Sequence, residues 1–418
     1  MVITMTCLHY SDDELFIEKV SLESISAHYG TPCYVYSKQQ LLKNWHLFSD
    51  AFHTLPHRIC YAVKANSNLA ILNLLAEQNA GFDIVSLGEL KRVLAAGGDP
   101  QKIIFSGVGK TQLEIEAAIQ SNIYCFNVES EPELERLQAC ALAQNKNINI
   151  SLRINPNINP KTHAHISTGL KENKFGIDTN NVIALCQQIK NFSHLNLIGL
   201  ACHIGSQIIE LEPFSLAIDH LLNLYNTLKS QHILLKHLNI GGGLGITYRH
   251  EQPPPVKAYA ELLQQKCAGY PIEIIIEPGR AMVGNAGILL TKIEYLKHTA
   301  QKNFIIVDAG MNDLLRPALY NAWQSILPVK KHKGVAKLYD IAGPVCESAD
   351  FLGKDRELIV QTGDLLAIDC AGAYGFSMSS NYNSRARPCE VLVDNDQTYL
   401  IRAREKITDL FHLENIPH

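Results

Sequence analysis

One rhythm constrains this sequence more than anything else in it. Short apolar, β-branched runs recur at ICYAV from Ile59, FDIVS from Phe82, IIFSG from Ile103, YCFNV from Tyr124, ISLRI from Ile150, IGLACHIG from Ile198, LNIGGG from Leu238 and IEIIIEPG from Ile272. Between the earlier runs lie LAILNLLAEQ, GELKRVLAA, LEIEAAI and EPELERLQACALAQ, whose apolar residues return at three- and four-residue steps, the spacing of amphipathic helices. The first four runs start 21 to 23 residues apart, a tight strand–helix repeat that demands parallel strands. Eight such units predict a (β/α)8 barrel of the TIM type; a doubly wound open sheet is the alternative, and the strand count favours the barrel. In a barrel, catalytic groups belong at the C-terminal ends of the strands.

After about Gly287 the texture changes. ILLTKIEYLKH, NFIIVDAG, AKLYDIAGPVC, DLLAIDCAGAY and CEVLVDNDQTYLIRARE follow one another with few helical patterns between them, which predicts an all-β domain, a sandwich or barrel. The expected division is a barrel over 31–286 and a β domain over 287–418, joined by an N-terminal segment, 1–30, that contains the strand-like LHYSDDELFIEKV.

Composition narrows the function classes. Of 418 residues 37 are Lys or Arg and 41 Asp or Glu, a formal net charge of -4, which offers no cationic field to nucleic acid or an anionic membrane. The longest nearly apolar stretch, Ala281–Leu290, is interrupted by glycines and falls well short of the roughly 20 residues of a membrane span. MVITMTCLHYSDDELF has neither the basic nor the long apolar part of a secretion signal. Eleven cysteines without a single C-x-x-C pair are expected to be reduced thiols of a cytoplasmic protein, not a disulfide or zinc framework. No set of paired His and acidic residues at strand ends suggests a metal site.

Four strand ends carry groups with chemistry. Lys64 closes YAVKAN, and desolvation by Tyr61, Ala62 and Val63 would favour its neutral, nucleophilic form; the plainer reading is a snorkelling surface lysine. His203 in LACHIGSQ offers a flat ring to stack on a planar cofactor, and Ser206 a phosphate donor, although a strand-end histidine is more often a hydrogen-bonded core residue. Gly241, Gly242 and Gly243, in a loop that also holds Gly245, leave backbone N–H groups free to close around a phosphate. Glu277 follows three isoleucines in IIIEPGR, so it is buried and needs a cationic partner, either a protonated pyridine nitrogen or, more plainly, Arg280. An amine, a stacking ring, a phosphate cradle and a carboxylate together fit pyridoxal phosphate, whose protonated ring is a strong electron sink suited to decarboxylation. In the second domain, Cys346 and Glu347 lie in GPVCESADFLG, Tyr374 in CAGAYGFSMSSNYN, and Arg316 and Tyr320 in MNDLLRPALYNAW, where arginine's fork suits a carboxylate.

Taken in order, YAVKAN, HIGSQ, IGGGLG, EPGR, GPVCESAD and GAYGFSMSSNYN resemble the fold-type III pyridoxal-phosphate-dependent decarboxylases over nearly the whole chain. The resemblance implies that Lys64 carries pyridoxal 5'-phosphate as a Schiff base. It also implies that Asp83, Arg153, His203, Ser206, Gly241, Gly242, Gly243, Glu277, Pro278, Gly279, Arg280 and Tyr374 surround the cofactor. It assigns Cys346 as proton donor to Cα, and Arg280, Arg316, Tyr320, Glu347 and Tyr374 as substrate contacts. It further implies a head-to-tail homodimer in which Cys346 and Glu347 complete the partner's site. The CES loop and Arg316 suit a substrate with an ammonium and a carboxylate at its far end, meso-2,6-diaminopimelate converted to L-lysine, better than ornithine, arginine or lysine. GLKENKFGI, Gly169–Ile177, resembles the substrate-loop region of such members, while Gln324 stands where many of them have histidine.

Overall fold

The computed structural model describes residues 7–159 and 173–417. The chain forms two units, one of Trp45–Ile246 with Gln252–Ala281, the other of the segments to Asn44, Thr247–Glu251 and Met282 onward.

In the first unit every expected run is a strand: β1 (His57–Ala62), β2 (Gly81–Ile84), β3 (Ile103–Phe105), β4 (Cys125–Val128), β5 (Ile148–Asn155), β6 (Leu195–Ala201), β7 (His237–Asn239) and β8 (Glu273–Ile276). Each pairs in parallel with the next. β8 returns to pair with β1, Ile274 opposite His57 and Ile276 opposite Ile59. An open doubly wound sheet would leave two free edges; this one is closed. The intervening helices start on local signals. Ser86 accepts from the backbone N–H of Glu89 to open Leu87–Ala95, and Thr111 with Glu114 forms a reciprocal capping box on Gln112–Gln120.

The pleat decides what reaches the interior. Cys60, Ile104 and Ile275, from β1, β3 and β8, pack together, and side chains of non-adjacent strands meet only inside a barrel. With a side-chain period of two, Ala62, Ser106 and Glu277 therefore also face inward, one step nearer the C-terminal mouth. The alternate residues form the layer beneath the helices, where Phe105 and Phe126 stack with centroids 6.1 Å apart.

The second unit carries a mixed sheet in the order 351–358, 337–342, 303–307, 287–298, 33–37, 389–394, 397–402, with Leu365–Ile368 pairing both Gly287–His298 and Ile326–Pro328. Cys33–Ser37 is an interior strand of this sheet, antiparallel to Gly287–His298 and parallel to Cys389–Asp394, with all five residues buried. This strand lies beyond the boundary expected at residue 30, and Thr247–Glu251, expected within the barrel segment, also clusters with this unit. Leu8–Ser11, Glu14–Ile17 and Val20–Ser21 make a separate three-stranded sheet, whose Leu15 and Ile17 share one core with Val35, Ile288 and Val391. Phe351–Leu358, FLGKDREL, is a strand that its charges hid from the pattern reading.

Phe126 is 1% exposed, so Phe126→Ala leaves a cavity behind the barrel wall. Urea unfolding of the barrel unit's signal should show a loss of about 3–5 kcal/mol; a loss below about 1 kcal/mol would mean the wall collapses to fill it.

Candidate active site

The C-terminal mouth of the barrel holds a cavity of about 170 Å3 lined by Lys64, Asn127, Arg153, Phe175, His203 and Glu277 among others. Lys64 follows β1, and its Nζ donates to Asp83 Oδ2 at 2.8 Å from the end of β2. Asp83 is completely buried, and its Oδ1 has no hydrogen-bond partner. The amine is therefore held as an ammonium against a carboxylate, not in the neutral form that desolvation alone would favour.

Glu277 extends β8 by one residue. Its Oε1 accepts from Asn239 Nδ2 at 2.6 Å and from Asn127 Nδ2 at 3.4 Å, the latter also donating to Ser106 Oγ at 3.0 Å. The cationic partner expected for it in Arg280 is not what it finds: Arg280 donates from Nη2 to Ser206 Oγ at 3.2 Å. Burial, with Asp83 adding repulsion, pushes the Glu277 carboxyl up to about 7, while Lys64, the Asn239 bond and Arg153 pull it down.

His203 is neutral on two counts. Gly242 N–H donates to its Nδ1 at 3.1 Å, which requires a lone pair there. Burial first, then the positive charges of Lys64 and Arg153, hold its acidity well below the usual range for histidine.

The glycines after β7 have a packing role as well as an open backbone. A Cβ on Gly241 (φ 73°) would lie 2.5 Å from the carbonyl oxygen of Cys202, and one on Gly242 2.1 Å from that of Glu277. Both neighbours are backbone and cannot yield. Gly241 N–H donates to Asn239 Oδ1 at 2.8 Å, so the amides of Gly241 and Gly242 orient Asn239 and His203. Pro278 O accepts from Ala62 N–H at 3.1 Å, continuing the β1–β8 seam past the strands. Gly279 leads into the short helix Arg280–Val283.

The remaining expected residues lie in the other unit. Cys346 and Glu347 are exposed on one loop, with Cys346 N–H donating to Asn383 Oδ1 at 2.7 Å and Tyr382 OH to Glu347 Oε1 at 2.5 Å. Asp350 anchors that loop by accepting from Val345 N–H at 2.7 Å and Met311 N–H at 2.6 Å. Arg316 is buried, its guanidinium 4.6 Å from the centroid of Tyr248, and it opens the helix Arg316–Tyr320. Tyr374 adopts a left-handed backbone (φ 55°) and, like Tyr320, is half-buried. Gln324 is buried and donates to the carbonyls of Asp369 and Cys370. Of the segment Gly169–Ile177, residues 169–172 lie outside those described. Asn127, Asn239 and Glu129 escaped the sequence reading; each is a polar residue where an apolar strand ends or has just ended. Among the described residues no cluster of His, Cys, Asp or Glu could hold a metal.

Comparison with known proteins gives a consistent result. A family described as "Pyridoxal-dependent decarboxylase, pyridoxal binding domain" matches residues 38–284. Diaminopimelate decarboxylase of Vibrio cholerae is 53% identical over 414 residues, covering 99% of both chains. That of Pseudomonas aeruginosa is 51% identical over 412 residues, again 99% of each. Among solved structures, diaminopimelate decarboxylase from M. jannaschii in co-complex with L-lysine is 39% identical, with a TM-score of 0.94 and 98% of each chain covered. The Helicobacter pylori enzyme complexed with L-lysine is 41% identical, with a TM-score of 0.91 over 94% of this chain and 98% of that one.

The raised carboxyl of Glu277 has a consequence for stability. The folded state holds the proton more tightly than the unfolded one, so its contribution is full below about pH 4.5 and is lost as pH rises through about 7. Across that window the urea midpoint of the ligand-free protein should fall more steeply than that of Glu277→Gln; parallel curves would show that the carboxyl titrates normally.

Proposed function

The chain belongs to the pyridoxal-dependent decarboxylases, in the diaminopimelate decarboxylase family, and from that premise we propose which of its residues carry the conversion of meso-2,6-diaminopimelate to L-lysine and carbon dioxide, the last step of lysine biosynthesis. The observation that carries the reading is the meeting of Lys64, His203 and Glu277 around one cavity, with Asp83 on the Lys64 amine. That mouth fits pyridoxal 5'-phosphate. It has a lysine amine beside the cavity, a buried carboxylate in want of a cation, an orphaned buried oxygen on Asp83, and a hydroxyl–guanidinium pair, Ser206 and Arg280, suited to phosphate. When bound, the cofactor supplies an aldehyde that takes up amines and a ring that accepts the electron pair left when carbon dioxide departs.

The chain's own groups do the rest. Lys64 would provide the amine for the cofactor's aldehyde, and Asp83 holds that amine in place. Glu277, steadied by Asn239 and Asn127, would hold a proton at the ring nitrogen, and neutral His203 would bound the ring without adding charge. Ser206, Arg280, Pro278–Gly279 and the Gly241–Gly243 loop hold the phosphate end, Gly241 and Gly242 also fixing Asn239 and His203. Arg153 borders the ring through the cavity wall. In the β unit, Arg316 takes the distal carboxylate and Glu347 the distal ammonium, while Tyr320, Tyr374 and Arg280 complete the substrate's contacts. Cys346 gives the proton that Cα takes up after decarboxylation. The exposure of Cys346 and Glu347 supports a homodimer in which they serve the partner's site. Ten of the eleven free cysteines are wholly or partly buried, which supports a reduced, cytoplasmic setting.

Carbon dioxide release from the loaded enzyme, with meso-diaminopimelate, ornithine, arginine and lysine offered separately, tests the substrate. Turnover confined to the first, with L-lysine as product, is expected; preference for a substrate without the distal carboxylate would overturn Arg316's role. Lys64→Ala should lose both the bound-cofactor absorbance and turnover, while Cys346→Ala should keep the absorbance and lose most turnover. Mixing the two inactive variants should restore some activity if sites are shared. No recovery after proven subunit exchange would place Cys346 in its own subunit's site.

A further inference from the structure

A network of four charged residues lies behind the cavity wall. Glu129, just past β4, accepts from Arg153 Nη1 at 2.7 Å and from Gly107 N–H at 3.0 Å through Oε1, and from Gly176 N–H at 3.1 Å through Oε2. Beside it, Lys110 Nζ donates to Gly107 O at 2.8 Å, Asn127 O at 2.7 Å and Glu133 Oε1 at 2.7 Å. Glu133 Oε2 accepts from Glu129 N–H at 2.9 Å, which closes the network. All four charged side chains are at most 10% exposed, and the two positive and two negative charges cancel.

A buried ion pair repays its desolvation only where further hydrogen bonds satisfy both partners. Here they do, so a scaffold role alone would account for Lys110 and Glu133. Glu129 differs in what it holds. Arg153, Gly107 and Phe175, the neighbour of Gly176, all line the cavity, whereas Glu129 does not. Arg153 also packs its guanidinium 4.9 Å from the Phe175 ring centroid. One carboxylate thus ties three separate stretches of cavity wall: the residues after β3, the end of β5, and the stretch that leads into Ile177–Asp178.

We propose that Glu129 is a positioning residue of the active site, which acts through Arg153: it sets where the guanidinium stands against the cofactor ring and holds the two flanking wall segments to it. The proposal rests on the assignment of Arg153 to the cofactor's surroundings. Beside burial, Arg153 is one of the charges that hold His203 neutral and that pull the raised Glu277 carboxyl back down, so a guanidinium released from Glu129 disturbs both groups.

The test is a double-mutant cycle on Glu129→Gln and Arg153→Met, read as the cofactor's dissociation constant by absorbance titration and as kcat. Glu129→Gln alone should weaken cofactor binding and lower kcat by about tenfold each. In the Arg153→Met background the same substitution should change either quantity by less than about twofold, because the group it acts through is gone. Equal losses in both backgrounds would show that Glu129 works independently of Arg153, as a scaffold does, and would overturn the proposal. So would an impaired Arg153→Met beside a wild-type Glu129→Gln. If Arg153→Met itself binds cofactor and turns over normally, the assignment of Arg153 fails first and the proposal with it. Should Glu129→Gln not fold, Glu129→Asp takes its place in the cycle; its carboxylate, one methylene shorter, should produce a smaller loss that again vanishes without Arg153.

Discussion

Everything at the barrel mouth depends on the pairing of β8 with β1. Lys64 and Glu277 are distant in sequence, yet they follow the two strands that meet at the closing seam. The backbone bond from Ala62 N–H to Pro278 O carries that seam one step past the strands, to the level of the chemistry. Without that closure, the same strand order would put the two strands at opposite edges of a sheet. Closure turns a linear repeat into a ring, and the mouth of the ring gathers the strand-end groups.

Inside that ring the electrostatics follow from burial. Asp83 and Glu277 are carboxylates removed from water, and such groups remain charged only where cations and hydrogen bonds hold them. Lys64 serves the first; Asn239 and Asn127 serve the second through hydrogen bonds that bring no charge. His203 stays uncharged because it is buried, because two cations stand near, and because a glycine amide donates to its lone pair. The glycine loop is thus a junction: its bare backbone presses against the ends of β6 and β8 while its amides aim Asn239 and His203.

The fold was legible because its signal is repetitive. Eight runs with helical stretches between them leave few architectures, and the strand-end lysine, histidine, glycines and glutamate declared themselves by following apolar runs. Partners were another matter. Arg280 sits three residues from Glu277 and was the plain choice for it, but a strand's pleat aims Glu277 inward, to Asn239 on the neighbouring strand and Asn127 on a strand across the barrel. Lys64 looked desolvated from its neighbours in sequence, yet its decisive neighbour, Asp83, belongs to the next strand. The place of Cys33–Ser37 was hidden for the same reason: its two pairing partners come far later in the chain, and nothing local records that.

The position of Cys33–Ser37 also bears on how the chain emerges from the ribosome. This segment is made long before its two flanking strands, which begin at Gly287 and Cys389. At about 5–20 residues per second, it waits some tens of seconds for them. All eight strands of the barrel are synthesised within that interval. A unit begun second can therefore finish first, while Cys33–Ser37 still lacks both of its strand partners. Vectorial synthesis and native topology run in opposite order here, and Cys33–Ser37 needs protection from wrong pairing until its partners are made.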